Sequence, residues 1–89
     1  MIPTLVQLKY ILAVAESKSF NKAAKLCNVS QPSLSAQIRK AENNLGIIIF
    51  DRNTKPIKIT KTGLHVVNQA KNILLESRRL LDIKKDSNE

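Results

Sequence analysis

The sequence predicts a mainly α-helical fold carrying one small β-hairpin. Three observations predict it. Apolar residues recur at helical spacing in four separate segments, each preceded by a Ser or Thr able to cap it. One β-branched stretch, Ile47–Arg52 with Ile57–Ile59, is split by Asn53-Thr54-Lys55-Pro56, a turn-forming sequence. The chain has 89 residues and 43% hydrophobic content, enough for one small domain with a modest core.

The elements follow in order. Thr4 with Gln7 matches a capping box, which opens a first helix to about Ser17. Leu5, Leu8, Leu12 and Ala15 form its apolar stripe, broadened by Ile11. Lys18-Ser19 is a break, and Ser19 caps a short second helix. Phe20, Ala23, Ala24 and Cys27 define one buried face on it, with two alanines that let another helix approach closely. Asn28-Val29 interrupts the pattern. Ser30 caps a third helix, Pro32 fits its first turn, and Gly46 is placed to stop it. Its stripe is Leu34, Ile38, Ala41 and Leu45. The two short strands come next, with Pro56 tolerated at a strand edge or start.

Thr60 caps a long fourth helix, about Lys61–Lys85. Val66, Ala70, Ile73, Ser77 and Leu80 follow a 4-3-4-3 spacing, and Val67, Leu74 and Leu81 widen that stripe. The stripe could pack on the domain's own core, but such a helix spans about 37 Å, more than a domain this small covers, so it is expected to meet a partner helix. The expected organisation is therefore residues 1–60 as one unit, with a helix-turn-helix at about 20–39 and a wing at about 47–59. Residues 61–85 are the linker or dimerisation helix, and 86–89 a tail.

Composition narrows the function. The formal charge of +8 favours a polyanionic partner. It is spread over the whole chain: six basic against two acidic residues in 1–46, three against one in 47–60, six against four in 61–89. Only Tyr10, Phe20 and Phe50 are aromatic, which argues against stacking platforms for single-stranded RNA. The single Cys27 excludes an internal disulfide and a Cys-based zinc cluster, and suits a reducing cytoplasm. There is no secretory signal pattern, and no apolar run approaches the ~18 residues a membrane span requires.

The third helix carries the recognition signal. Opposite its apolar stripe lie Pro32, Ala36, Arg39 and Asn43, flanked by Ser33, Ser35 and Lys40. This side has no acid and no bulky apolar group, and the B-DNA major groove admits one helix only if side chains do not hold it away. Gln31 can pair with adenine edges, Ser33 and Ser35 suit either base type, and Pro32 can meet a thymine methyl. Arg39 and Lys40 can reach the phosphates. Arg52 and Lys55, at the ends of the wing loop, are placed for a flanking minor groove, and Thr60 is expected to border the same DNA. Two helices with a tight break, followed by a strand pair, make a winged helix-turn-helix.

These residues resemble the DNA-binding region of LysR-type transcriptional regulators. The matching residues are Leu5 and Leu8; Phe20, Ala23-Ala24 and Leu26; and the run Ser30-Gln31-Pro32-Ser33-Leu34-Ser35, Gln37-Ile38-Arg39, Glu42, Leu45-Gly46. Phe50, Arg52, Ile59-Thr60 and Thr62-Gly63 complete the pattern, which covers nearly the whole chain. The resemblance implies a winged helix-turn-helix that binds double-stranded promoter DNA as a homodimer or homotetramer. It implies that the fourth helix is an antiparallel dimerisation linker. Gln31, Pro32, Ser33, Ser35 and Ala36 match the family's groove-contacting positions, and Arg52 its wing arginine. The family often has a large basic residue at position 36 and Leu at position 41, where Ala36 and Ala41 stand here. A small residue at 36 followed by Gln37-Ile38-Arg39-Lys40 is similar to the peroxide-responsive OxyR branch. Family members carry a longer C-terminal effector-binding domain, absent from this chain, which is read as an excised DNA-binding piece rather than a natural short form.

Other features read more plainly. Cys27 belongs to a packed face, not a redox switch. His65 has no partners at ligand spacing, so no metal is expected. Asp51, Glu16 and Glu42 are not grouped for acid–base work, and no nucleophile motif occurs, so neither catalysis nor a cofactor is expected. The plain alternative for Arg39, Lys40, Lys22 and Lys25 is a solvated face, and for Arg52 an ion pair with Asp51. The competing functions are a protein-interaction module built on the fourth helix and a non-specific nucleic-acid binder.

Overall fold

Each helix starts at its cap. In the computed structural model, which describes residues 1–86 and side chains to residue 84, the helices are α1 (Leu5–Ser17), α2 (Phe20–Cys27), α3 (Gln31–Leu45) and α4 (Lys61–Asp86). The tail expected over 86–89 is cut back by one residue, since Asp86 closes α4; residues 87–89 lie outside the described residues. At α1 the capping box is complete: Thr4 Oγ1 accepts from the Gln7 amide at 3.1 Å and Gln7 Oε1 accepts from the Thr4 amide at 3.0 Å. Ser19 accepts from the Lys22 amide at 3.1 Å, Ser30 from Ser33 at 3.2 Å, and Thr60 from Gly63 at 2.9 Å. The first three helices stop on left-handed residues, Lys18 (φ 56°), Asn28 (φ 57°) and Gly46 (φ 68°). These tight stops turn the chain within two or three residues, so α1, α2 and α3 are forced to pack on one another.

α1 lies at the centre and touches α2, α3 and α4. Ile11, Val14, Ala23, Leu34, Ile38, Ala41 and Ile49 are completely buried. Phe50 seals the wing side of this core, its ring meeting Phe20 edge-on with centroids 5.8 Å apart at 78°. Because α1 is covered on several sides, its buried set is Gln7, Leu8, Ile11, Val14 and Ala15. The expected Leu5 is half exposed and Leu12 only half-buried. In α3 the stripe ends at Ala41, and Leu45 in the last turn reaches solvent.

The hairpin is shorter than expected. β1 is Phe50–Asp51 and β2 is Lys58–Ile59, antiparallel with Phe50 opposite Ile59 and Asp51 opposite Lys58. Ile47–Ile49 is an irregular connector, since Ile48 points to solvent and only Ile49 enters the core. The Lys55-Pro56 peptide is cis.

Glu42 holds the wing to α3. It is buried, and its Oε2 accepts from the amides of Ile49 at 2.7 Å and Phe50 at 3.3 Å. Its Oε1 accepts from Arg52 Nη2 at 3.3 Å. A buried carboxylate survives when its lone pairs are filled in this way. The buried amides of Ile49 in the connector and Phe50 in β1 are therefore satisfied by a helix side chain.

α4 corrects one expectation directly. Val67 and Ala70, expected on a partner-facing stripe, are 3% and 1% exposed in this domain's own core. Val66 and Leu74 pack against that core too, and Ser77 donates to the Leu74 carbonyl at 2.8 Å. The reason is that α4 packs against α1. Gly63 makes the approach possible: a Cβ there would collide with the Ile49 carbonyl and come within 2.7 Å of Ile49 Cα and 2.8 Å of Thr60 Oγ1. Further along, Leu75, Leu80, Leu81 and Ile83 are 57–76% exposed, and Ile73 is 37% exposed. The helix thus leaves the domain, and the radius of gyration of 14.3 Å exceeds the roughly 12 Å of a compact chain this long. Among the described residues no helix is long and apolar enough to cross a membrane.

Three substitutions test this packing by thermal or urea unfolding. Gly63→Ala forces α4 off the Ile49 backbone and should cost about 1–3 kcal/mol, a drop of roughly 5–20 °C in Tm. Gly46→Ala meets no atom within 4 Å and should cost only the left-handed strain, about 1–2 kcal/mol. Glu42→Ala should cost about 3–5 kcal/mol, because it strands two buried amides and a partly buried guanidinium. A loss below about 1 kcal/mol would remove Glu42 from its assigned place in the fold.

Candidate nucleic-acid interface

α2 and α3 are joined by residues 28–30. The left-handed Asn28 and the Ser30 cap set the second helix at once across the first. Leu34, Ile38 and Ala41 anchor α3 from below, so its opposite side must face outward. On α1, Gln7 Nε2 donates to Gln37 Oε1 at 3.0 Å, a polar tie that the sequence reading did not find. Gln7 is almost fully buried and satisfied by this bond and its cap.

The structure exposes Gln31, Pro32, Ser33, Ala36, Arg39 and Lys40 together on that outward side. Lys22 and Lys25 are exposed on α2. Among the described residues, Arg39, Lys40 and Lys55 are not paired with a carboxylate, so their charge is available to a polyanion. Gln31 and Ser35 face the wing loop across a 490 Å³ cleft, whose other walls include Lys18, Phe20, Arg52, Lys55 and Pro56. Small neutral groups and unpaired cations therefore share one surface. A helix start with slim side chains and flanking positive charge can enter a major groove while cations meet the phosphates.

Two expected contacts are arranged differently. Arg52 is not a free wing cation. Its Nη1 donates to Ser35 Oγ at 2.7 Å, its Nη2 pairs with Glu42 at 3.3 Å, and its guanidinium carbon lies 4.5 Å over the Phe20 ring. The plain alternative of a pair with Asp51 is also replaced. The Asp51 carboxylate accepts from the Asn53 amide at 3.0 Å within the wing turn. Burial lowers the Arg52 pKa from its ordinary value, as does nearby Arg39, while Glu42 opposes both. Thr60 likewise has its hydroxyl committed. It donates to the Ile48 carbonyl and accepts from Gly63, so it caps α4 and ties it to the connector. Lys55 keeps the expected exposed place at the loop end.

Cys27 is half-buried against the core and His65 is exposed near the start of α4. Among the described residues, His, Cys, Asp and Glu form no group of three or more able to hold a metal ion. The residue that sequence reasoning most clearly missed is Glu42, set aside there because it has no acidic neighbour. Its signal was its position immediately after Ala41, at the edge of a buried stripe, where an acid needs donors.

The geometry agrees with comparisons across known proteins. Residues 5–64 match the family described as bacterial regulatory helix-turn-helix protein, lysR family. The hydrogen peroxide-inducible genes activator of Haemophilus influenzae is 45% identical over 76 residues, covering 85% of this chain and 25% of that protein. A full-length OxyR variant from Pseudomonas aeruginosa superimposes with a TM-score of 0.89 at 34% identity, covering 97% of this chain and 29% of that one. The BenM DBD/benA site 1 DNA complex gives a TM-score of 0.89 at 34% identity, covering 97% of this chain and 99% of that one. The chain spans about a quarter of the length of the curated relatives it matches. With a winged helix-turn-helix, a long C-terminal helix and a family match over most of its residues, this chain belongs to the LysR family of bacterial helix-turn-helix regulators.

Proposed function

We propose that this chain is the sequence-specific, double-stranded DNA-binding part of a cytoplasmic LysR-type transcriptional regulator, working as a homodimer or a pair of dimers. One observation carries the reading. α3 turns Gln31, Pro32, Ser33 and Ala36 to solvent at a capped helix start while Leu34 and Ile38 are buried. The similar BenM fold in complex with benA site DNA supports placing this surface on a duplex. In this reading Gln31, Ser33 and Ser35 approach base edges, Pro32 and Ala36 allow close approach, and Arg39, Lys40 and Lys55 meet phosphates. Arg52 and Thr60 act as internal ties.

The dimer would use the distal part of α4. Among the described residues nothing covers Leu80 and Leu81, which are 68% and 76% exposed, and Ile73 borders the same face. Leu5, Val6 and Leu12 of α1 with Leu74 and Leu75 of α4 line an open apolar cleft next to it. Exposed aliphatic side chains at helical spacing are what an antiparallel partner helix covers. The functional division of the chain then falls inside α4, after the buried Ala70, and not at its first residue.

Fluorescence anisotropy on duplexes selected from a random pool tests DNA recognition. Gln31→Ala should weaken the selected site by about 1–3 kcal/mol and blur preference at one position per half-site. Log affinity should fall linearly with log salt, with slope about −0.9 per phosphate contacted. Equal affinity for selected and scrambled duplex would favour non-specific binding, and no binding at low salt would favour a protein-interaction module. Sedimentation of Leu80→Asp with Leu81→Asp should show monomer where the unaltered chain is dimeric, with helical content unchanged.

A further inference from the structure

We infer that Arg52 is a positioning residue that fixes Ser35 as a hydrogen-bond donor, so that Ser35 reads only acceptor atoms on the DNA. The inference rests on the DNA-binding reading above and adds the polarity of one contact to it.

A serine hydroxyl has one proton and two lone pairs, and rotates to suit its surroundings. Free on a helix surface, Ser35 would therefore serve either base type. In this structure it is not free. Arg52 Nη1 lies 2.7 Å from Ser35 Oγ, a charge-assisted distance. Guanidinium has no acceptor and is never deprotonated in a protein, so the direction of this bond is settled: arginine donates, serine accepts. Among the described residues no acceptor within the chain takes the Ser35 proton, which is thus left for an outside group. A hydroxyl polarised by a cation on its oxygen side is a better donor and a poorer acceptor.

Ser33 makes the contrast. It lies two residues away and is also hydrogen-bonded, but to Ser30 Oγ at 2.8 Å. Two hydroxyls can exchange roles, so nothing fixes which one donates, and Ser33 remains adaptable.

Arg52 itself is held firmly enough to impose the direction. Glu42 fixes its other terminal nitrogen, Phe20 supports its flat face, and its side chain is 24% exposed. Ser35 and Gln31 are one turn apart on the same side of α3 and line the cleft that opens to the wing. In a major groove the Ser35 proton would seek guanine N7 or O6, adenine N7 or thymine O4, and would reject the amino groups of cytosine and adenine. The neutral reading residues thus divide into a fixed donor, Ser35, and adaptable groups, Gln31 and Ser33.

The test is selection of bound duplexes from a random pool, followed by affinity measurement, on the unaltered chain, Ser35→Ala, Arg52→Gln, Arg52→Lys and the double variant Ser35→Ala/Arg52→Gln. Each variant is first checked for folding by circular dichroism and for retained binding to random duplex at low salt. Ser35→Ala should lose roughly 2- to 10-fold preference for an acceptor-bearing base at one position per half-site. Arg52→Gln should lose preference at that same position, and add little to it when Ser35 is already Ala. Arg52→Lys, which keeps a charged donor, should retain part of it. Replacing guanine or adenine at that position by its 7-deaza analogue, or thymine by a 4-thio analogue, should weaken the unaltered chain but not Ser35→Ala. If the Arg52 variants instead change preference at a flanking position, or their effect multiplies fully with Ser35→Ala, arginine reads DNA itself and the inference is wrong. If Arg52→Gln or Arg52→Lys does not fold, the 7-deaza and 4-thio comparison on Ser35→Ala alone decides whether Ser35 donates. If the unaltered chain selects no duplex, the DNA-binding reading and this inference fall together. Selection with no effect of any Arg52 variant removes only the inference.

Discussion

The pairing of Glu42 with Arg52 and with the amides of Ile49 and Phe50 is the constraint on which the rest of the structure depends. A wing of two two-residue strands has too little ladder to hold itself, since isolated hairpins are marginal in water. Its position has to come from elsewhere. Glu42 supplies it from the last turn of α3, accepting hydrogen bonds from the connector and from the wing at once. The same carboxylate holds Arg52, which in turn reaches Ser35 and Phe20, so the outward side of α3 and the wing are set relative to one another by a single buried charge. Buried ion pairs are often no better for stability than apolar packing, but they fix one arrangement among several.

α1 performs the matching task on the other side of the domain. It touches all three other helices, so α3 and α4 are both positioned against it. Alanines at 23, 24 and 41 keep these crossings close, and Gly63 does the same for the start of α4 against the Ile49 backbone. The core beneath the recognition helix is lean, with Ala41 where a larger residue would fit a wider crossing. Ile49 and Phe50 fill the space from the wing side.

Much of this was legible in the sequence, and the remainder was not for identifiable reasons. Caps are local: Thr4, Ser19, Ser30 and Thr60 bond to residues three positions on, so the first residue of each helix could be read directly. The outward placement of Pro32 and Ala36 followed from periodicity alone. Periodicity gives a face but not what covers it, which is why Val67 and Ala70 were assigned to a partner and belong to the domain. The run Ile47–Ile49 looks like a strand because β-branched residues favour one, but the Ile49 amide bonds to the Glu42 carboxylate and not to a facing strand. Arg52 was expected at the DNA because its three internal partners come from 10 to 32 residues away in sequence, and no local pattern announces such contacts.

α4 is one uninterrupted rod from inside the core to open solvent, and between Leu64 and Asp86 it contains neither Gly nor Pro. It therefore has no swivel where it leaves the domain. In the proposed dimer the angular phase between the two reading heads is then written into the number of residues along that rod. One inserted residue beyond Ala70 would turn everything distal to it by about 100° and advance it by about 1.5 Å. The tolerated separation of operator arms would in this way be a property of helix length, inherited without any contact to the bases.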